Sequence, residues 1–397
     1  MVLKLSELNS SREEFTNPKV GFITSTFNIS ISTFYVGFGT LQFFKFDAGC
    51  LGSDNNIYYG PVDYTTPYIL KLDTKTGIAT SFTEIPNVNV TVGSTTYIQG
   101  AQFGGLVCGK DGNLYSIPLN ERYVSKIDPI TGTRTFFSEN FKGHQDYPDF
   151  NDPNWSTYNS KWYGACLAPN GKIYGIPFAY TKVLSINPQT GTASTTEVSG
   201  TFSTGQKWIG GVLGPDGNIY GIPYLSTTIL KINPVTNTAS TFGSVSGGWV
   251  GGCLAPNGKI YAAPYISSYS TSILKIDPIA GTATTFGSIS TATFTEQSGW
   301  VGCCLAPNGK IYSAPYGGTG ILEINPENDT VSVIGIGSLP SLDQYVRSGA
   351  RWGPFILSPD GKMYAPPFSE TKILVFGETS IQEPADWLLS PYQNKGY

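Results

Sequence analysis

The same short pattern is written seven times in this chain. It reads "SDNNIYYGP" from Ser53, "KDGNLYSIP" from Lys110, "PNGKIYGIP" from Pro169, "PDGNIYGIP" from Pro215, "PNGKIYAAP" from Pro256, "PNGKIYSAP" from Pro307 and "PDGKMYAPP" from Pro359. Each copy sets a tyrosine (Tyr58, Tyr115, Tyr174, Tyr220, Tyr261, Tyr312, Tyr364) three residues before a proline. Asn-Gly and Asp-Gly between apolar runs are a strong hairpin signal, because both central residues of a two-residue turn need positive φ. A second turn follows in six copies, "DTKTG", "DPITG", "NPQTG", "NPVTN", "DPIAG" and "NPEND". It closes on Gly77, Gly132, Gly191, Asn237, Gly281 or Asp329, the residue types that tolerate the left-handed region.

Each copy therefore reads as strand, tight turn, strand, looser loop, strand, tight turn, strand. In copy five the strands fall at 249–255 (A), 259–264 (B), 272–277 (C) and 282–286 (D). Four-stranded antiparallel units recurring every roughly 40 to 60 residues predict an all-β fold, a seven-bladed β-propeller with one unit per blade. A parallel β-helix is the rival, but its rungs are shorter and its strands parallel. Copy seven supplies strands A to C and lacks a second turn and a strand D. "SISTFYVG" at Ser30–Gly37 resembles "TATTFGSI" at Thr282–Ile289 and immediately precedes copy one. An N-terminal strand paired into the last blade would close the ring and remove two exposed sheet edges. This places the propeller at 28–377, with arms at 1–27 and 378–397.

The pattern "PDGNIYGIPY", continued by "ILKINP" and "TNTASTF", resembles the repeats of streptogramin lyase, SMP-30/gluconolactonase and NHL-type propellers. The "LAPNGKIY" variant resembles repeats of uncharacterised bacterial and viral propeller proteins. The resemblance covers about residues 40 to 377 and implies the propeller fold. It does not carry an activity across, because propellers host unrelated functions. The lyase's His and Glu catalytic set and the lactonase's acidic metal ligands have no counterpart in this sequence.

Nine residues before each hairpin Gly, or its Asn55 equivalent, stands an aromatic residue: Phe46, Phe103, Trp162, Trp208, Trp249, Trp300, Trp352. Two residues on come Ala48, Gly105, Gly164, Gly210, Gly251, Gly302, Pro354, and two further on Cys50, Val107, Cys166, Val212, Cys253, Cys304, Ile356. Period-two alternation predicts that all three positions share one face of the innermost strand. Four cysteines thus alternate with Val and Ile, and Cys108 takes the place of Leu, so the thiols read as small hydrophobes in a reducing setting rather than as disulfides or zinc ligands. The tryptophans admit two readings, inter-blade wedges or a ring of indoles at the channel mouth that stacks on a flat ligand.

Short, uniform A–B and C–D turns lie on one side of the disc, and the B–C and D–A connections on the other. Length varies mostly in D–A, where binding residues tend to sit over a rigid scaffold. The longest connection holds the chain's only histidine, His144, with Asp146, Asp149, Asp152, Tyr147, Phe150 and Trp155. Asp at three-residue spacing is not an EF-hand pattern and no nucleophile motif accompanies the histidine, so the loop reads as an aromatic recognition loop. No catalytic residue, metal or cofactor is expected. The candidate ligand-binding residues are Trp155, Tyr147, Phe150, His144, Trp162, Trp208, Trp249, Trp300 and Trp352. Strand A is otherwise apolar, with Asp47 and Gln102 the polar exceptions.

Composition bears on partners. A net charge of −4 without a basic run gives no footprint for nucleic acid, and no eighteen-residue apolar run could span a membrane. "MVLKLSELNSSREEF" lacks an apolar core and a cleavage site, so the expectation is synthesis without a signal peptide and residence in the cytoplasm or in a particle such as a virion. The expected role is a non-enzymatic binding or assembly protein. It would take a glycan or protein on its loop face and clasp neighbouring subunits with its arms. A lyase- or lactonase-type enzyme and an intracellular interaction scaffold are the alternatives.

Overall fold

In the computed structural model the chain is described at residues 29–35, 46–62, 66, 68–85, 88–92, 95–99, 102–121, 123–136, 141, 160–265, 270–294, 298–337, 339 and 349–378. Residues 29–35, 88–92, 95–99 and 378 are described by their backbone alone. Seven four-stranded antiparallel sheets follow one another along the chain as the blades of a propeller. Blade 4 shows the pattern, with strand A at Trp208–Leu213, B at Ile219–Pro223, C at Ile229–Asn233 and D at Thr238–Phe242. The A strands of blades 1, 2, 3 and 6 begin at the aromatic position, as in Phe46–Leu51, and those of blades 5 and 7 four residues after it, at Cys253–Leu254 and Ile356–Leu357. Among the described residues the only helical turn is the 3-10 segment Thr291–Thr293, and no helix is long and apolar enough to cross a membrane.

The second turns have the predicted chemistry, whereas in the A–B hairpins only the Gly (or Asn55) takes positive φ and the Asp or Asn before it does not. These hairpins are therefore not two-residue turns with both central residues in that region. The closing residues of the second turn all take positive φ, including Asn237 at 52° and Asp329 at 53°, which carry a side chain into the left-handed region. The ring closes as expected: Ile29–Tyr35 pairs antiparallel with Lys372–Glu378, from Ile29 opposite Glu378 to Tyr35 opposite Lys372, and is the outer strand of the last blade. The arms expected at 1–27 and 378–397 lie outside the described residues, except Glu378, which belongs to that pairing.

One expectation is corrected. The three recurring positions of strand A do not share a face, because every blade carries a β-bulge between the first and the third. In blade 4, Trp208 faces Pro223 and Gly211 faces Gly221, three residues on one strand against two on the other. The extra residue reverses the alternation. Trp249 thus packs with Val212, Tyr220 and Ile222 of blade 4, whereas Cys253, four residues on, packs with Trp300 of blade 6. Glycine at the middle position answers this bulge: Gly210 has φ +85°, and a Cβ there would lie 2.8 Å from the Gly251 Cα.

A second difference concerns the connection from blade 1 to blade 2. It contains a hairpin of its own, Val88–Val92 against Thr95–Gln99. The alternation of "VNVTV" and "TTYIQ" around Gly93-Ser94 carries that signal.

Candidate functional site

The tryptophan ring is structural in its contacts. Trp162, Trp208, Trp249, Trp300 and Trp352 are at most 2% exposed, so no indole offers a face to a ligand. Each indole N–H donates to a backbone carbonyl at or just before the start of strand C of its own blade: Lys182 (2.8 Å), Thr228 (2.7 Å), Ser272 (2.8 Å), Gly320 (2.8 Å) and Lys372 (2.8 Å). The recurring tyrosines tie blades together at the opposite rim. The Tyr58 hydroxyl donates to Asp54 of its own hairpin and to the Pro129 carbonyl of blade 2, and Tyr220 does the same with Asp216 and Pro278. The remaining candidates, His144, Tyr147, Phe150 and Trp155, lie outside the described residues.

An aromatic ring does surround the channel mouth, but other residues build it. The residue after the proline that ends strand B is Phe178, Tyr224, Tyr265, Tyr316 and Phe368 in blades 3 to 7. Topology puts these residues on the side of the B–C and D–A connections. Their rings run edge to edge from blade to blade, with centroids 5.8 Å (Phe178–Tyr224), 6.0 Å (Tyr224–Tyr265), 5.1 Å (Tyr265–Tyr316) and 5.0 Å (Tyr316–Phe368) apart. Tyr163 extends the arc at 5.8 Å from Phe178. Such tilted and edge-on contacts between neighbouring rings are the favoured aromatic geometry.

The backbone holds this arc from both sides. The Phe178 N–H donates to Lys161 O of its own blade (2.9 Å), and its carbonyl accepts from the N–H of Lys207 at the start of blade 4 (2.9 Å). Tyr265 repeats the motif with Gly248 (2.9 Å) and Gly299 (2.8 Å). Beneath the rings lie Ile209, Val250 and Val301, each the residue after the strand A tryptophan and each buried, with Tyr163, Tyr224, Tyr265 and Tyr316 packed on them. Phe178 and Phe368 are buried, whereas the four tyrosines keep part of their surface in solvent.

At this lining position the other blades carry Asp47, Gly104, Tyr163 and Gly353, so Asp47 is its one charged residue. Blade 2 contributes no side chain there, and the Tyr163 hydroxyl of blade 3 donates to Asp47 Oδ2 of blade 1. Asp47 is 4% exposed, and no group among the described residues bonds its Oδ1. Burial pushes its carboxyl up to about 6, and the Tyr163 hydrogen bond holds it back. The Tyr265 and Tyr316 hydroxyls bond each other, and both are raised, by burial first and also by the Asp47 charge. Two cations stand behind the mouth: Lys207, lowered to about 8 by burial, and Arg351, which bonds Glu370 (2.6 Å) and lies 4.2 Å from the Trp352 ring.

Reading strand A alone missed this arc, because its residues begin the B–C connection. The signal was in the repeat itself, as an aromatic residue after the conserved-register proline in "IPF", "IPY", "APY", "APY" and "PPF". No group of three His, Cys, Asp or Glu side chains among the described residues is placed to hold a metal ion.

Known proteins share the fold. No protein-family profile matches the chain, and no curated protein matches its sequence. Among solved structures, a streptogramin B lyase superposes with a TM-score of 0.61 at 13% identity, over 88% of this chain and 97% of that one. Hydrazine synthase of Kuenenia stuttgartiensis superposes at 0.56 and 12% identity, covering 87% of this chain and 99% of that one. The extracellular domain of a hybrid two-component system of B. thetaiotaomicron gives 0.55 and 11%, covering 87% of this chain and 41% of that one. At these identities the likeness is one of fold.

Proposed function

We propose that this chain is a non-enzymatic binding propeller, a component of a larger assembly such as a virion or a cell-surface structure, with its recognition face on the side of the B–C and D–A connections. The observation that carries this reading is the arc of six aromatic rings hung edge to edge over the channel mouth. A rigid, partly exposed aromatic surface beside a few polar groups is what a sugar ring or a protein side chain docks against. In this reading the arc anchors a glycan or protein ligand, and His144, Tyr147, Phe150 and Trp155 on the longest connection add contacts around it. The arms at 1–27 and 379–397 clasp neighbouring subunits, and the protein resides in the cytoplasm or in the assembled particle.

The test is a panel of oligosaccharides and peptides screened by saturation-transfer NMR against the wild type and Tyr265→Ala/Tyr316→Ala. A binder whose signal disappears in the double variant, with the melting transition retained, supports the reading. Binders unaffected by the double variant would move the site off the arc.

A second reading, a lyase-type enzyme, is favoured by one observation, the buried Asp47 carboxyl with the Tyr163 hydroxyl beside it, an acid–base pair in reach of the channel. Quinupristin, present in a solved complex of a virginiamycin B lyase of Staphylococcus aureus, is the substrate to try. Its consumption by the wild type and not by Asp47→Asn would favour the enzyme.

A further inference from the structure

We propose that the channel mouth binds an organic ammonium group, with the Asp47 carboxylate as its counter-ion and the tyrosine rings as its walls. The inference deepens the binding reading above and rests on it. Three observations converge. The first is position: six blades place Gly104, Tyr163, Ile209, Val250, Val301 and Gly353 at the channel-lining position, and a carboxylate replaces them only in blade 1.

The second observation is an incomplete set of partners. A buried carboxylate is ordinarily paired or fully hydrogen-bonded. Asp47 is 4% exposed, its Oδ2 accepts one hydroxyl from Tyr163, and no group among the described residues bonds Oδ1. The two cations behind the mouth are engaged elsewhere: Arg351, on the blade 7 segment whose Gly353 packs against the Asp47 backbone, bonds Glu370 and lies over the Trp352 ring, and Lys207 donates to the Gly205 carbonyl (2.9 Å). Tyr163 of blade 3, Tyr265 of blade 5 and Tyr316 of blade 6 are the titratable groups whose interaction with Asp47 is resolved. Phenols are neutral at physiological pH and leave its charge unbalanced.

The third is the wall. An ammonium is attracted to aromatic faces and to a carboxylate at once, and both attractions grow as water is excluded. A neutral sugar would use the rings and a hydrogen bond but would leave the buried charge unpaired. An anion would be repelled. The source of the ammonium can be a free amine or a lysine or N-terminal amine of a protein ligand, and the chemistry recognised is the same.

Titration of the full-length chain with n-butylammonium, followed by chemical shifts of the tyrosine rings, tests the proposal; 1-butanol and butyrate are the neutral and anionic controls. Saturable binding of the ammonium alone is expected. Asp47→Asn should weaken it at least tenfold while the melting transition is retained. In the wild type the affinity should fall about tenfold per pH unit below about 6, since protonation of Asp47 removes the counter-ion. This slope needs no variant and so holds the test even if Asp47→Asn folds poorly. No saturable ammonium binding, binding unchanged in Asp47→Asn, or a pH-independent affinity would each overturn the proposal. If glycan or peptide binding depends on Tyr265 and Tyr316 while butylammonium fails, the ammonium assignment falls and the arc remains the binding site. To separate free from protein-borne amines, butylammonium is compared with a lysine-containing peptide and its acetyl-lysine counterpart. Tighter binding of the unmodified peptide points to a protein ligand, and equal weak binding of both points to a free amine.

Discussion

The aromatic residue that opens strand A shows how one side chain sets the spacing of blades. Trp249 fills the interface between blades 4 and 5 and also ties its own strand C through Ser272. Truncation to Ala should cost about 3–5 kcal/mol in urea unfolding, the usual penalty for emptying a large aromatic site. Trp249→Phe keeps a wedge of the kind that Phe46 and Phe103 supply and loses the indole bond, so about 1–3 kcal/mol is expected. Gly210→Ala must enter the left-handed region against the neighbouring strand and should cost about 1–3 kcal/mol or more. Asp47 behaves oppositely. Its folded-state value of about 6 lies above its ordinary 3.8, so the native state binds the proton more tightly and loses stability as pH rises from about 4 through 6. Asp47→Asn should therefore stabilise the protein at pH 8 by about 2–3 kcal/mol, an advantage that fades by pH 4. Melting curves of both proteins across that range check the sign. Five of the six cysteine side chains are buried and Cys303 is half-buried, so native labelling should reach Cys303 first.

At the scale of the element, the closing strand is the most informative. Ile29–Tyr35 supplies the outer strand that blade 7 lacks, joining the two ends of the described chain through seven paired positions. Deleting residues 1–37 should expose the edge of Lys372–Glu378 and abolish the cooperative transition; a truncated protein that melts like the full chain would refute this. This closure was legible in the sequence, because a missing strand in one copy and a matching orphan segment before another have only one economical pairing. The bulge was not legible in the same way. Its mark, a glycine two residues after the aromatic position, fits close packing equally well, and only the offset pairing of Trp208 with Pro223 and Gly211 with Gly221 distinguishes the two.

Over the whole molecule, the disc divides labour between its rims. The rim of tight turns is uniform, and its tyrosine hydroxyls reach the neighbouring blade, as from Tyr58 to Pro129. The opposite rim carries the aromatic arc and the variable connections. Replacing 140–160 with a connection as short as that of blade 4 should leave the melting transition within about 1 kcal/mol, since loop length enters closure entropy only logarithmically. It should weaken binding of any ligand that spans the arc and that connection, as measured by titration against the wild type.

The sequence by itself determined the number of blades, the positions of the turns and the order of strands. These follow from residues whose local backbone demands are strong, such as Gly258 in the hairpin and Asn237 in the second turn, repeated at one period. For the strand A tryptophans it left two readings open, inter-blade wedges or an indole ring at the channel mouth. Which aromatics line that mouth only the tertiary structure decided. The indoles repeat on strand A, but the bulge and the neighbouring blade bury them. The residues after the strand B prolines form an arc because adjacent blades bring Phe178, Tyr224, Tyr265, Tyr316 and Phe368 each within about 6 Å of the next. Asp47 meets Tyr163 across 116 residues of chain because the A strands of successive blades lie side by side and blade 2, with Gly104 at this position, puts no side chain between them, a proximity that no local pattern encodes.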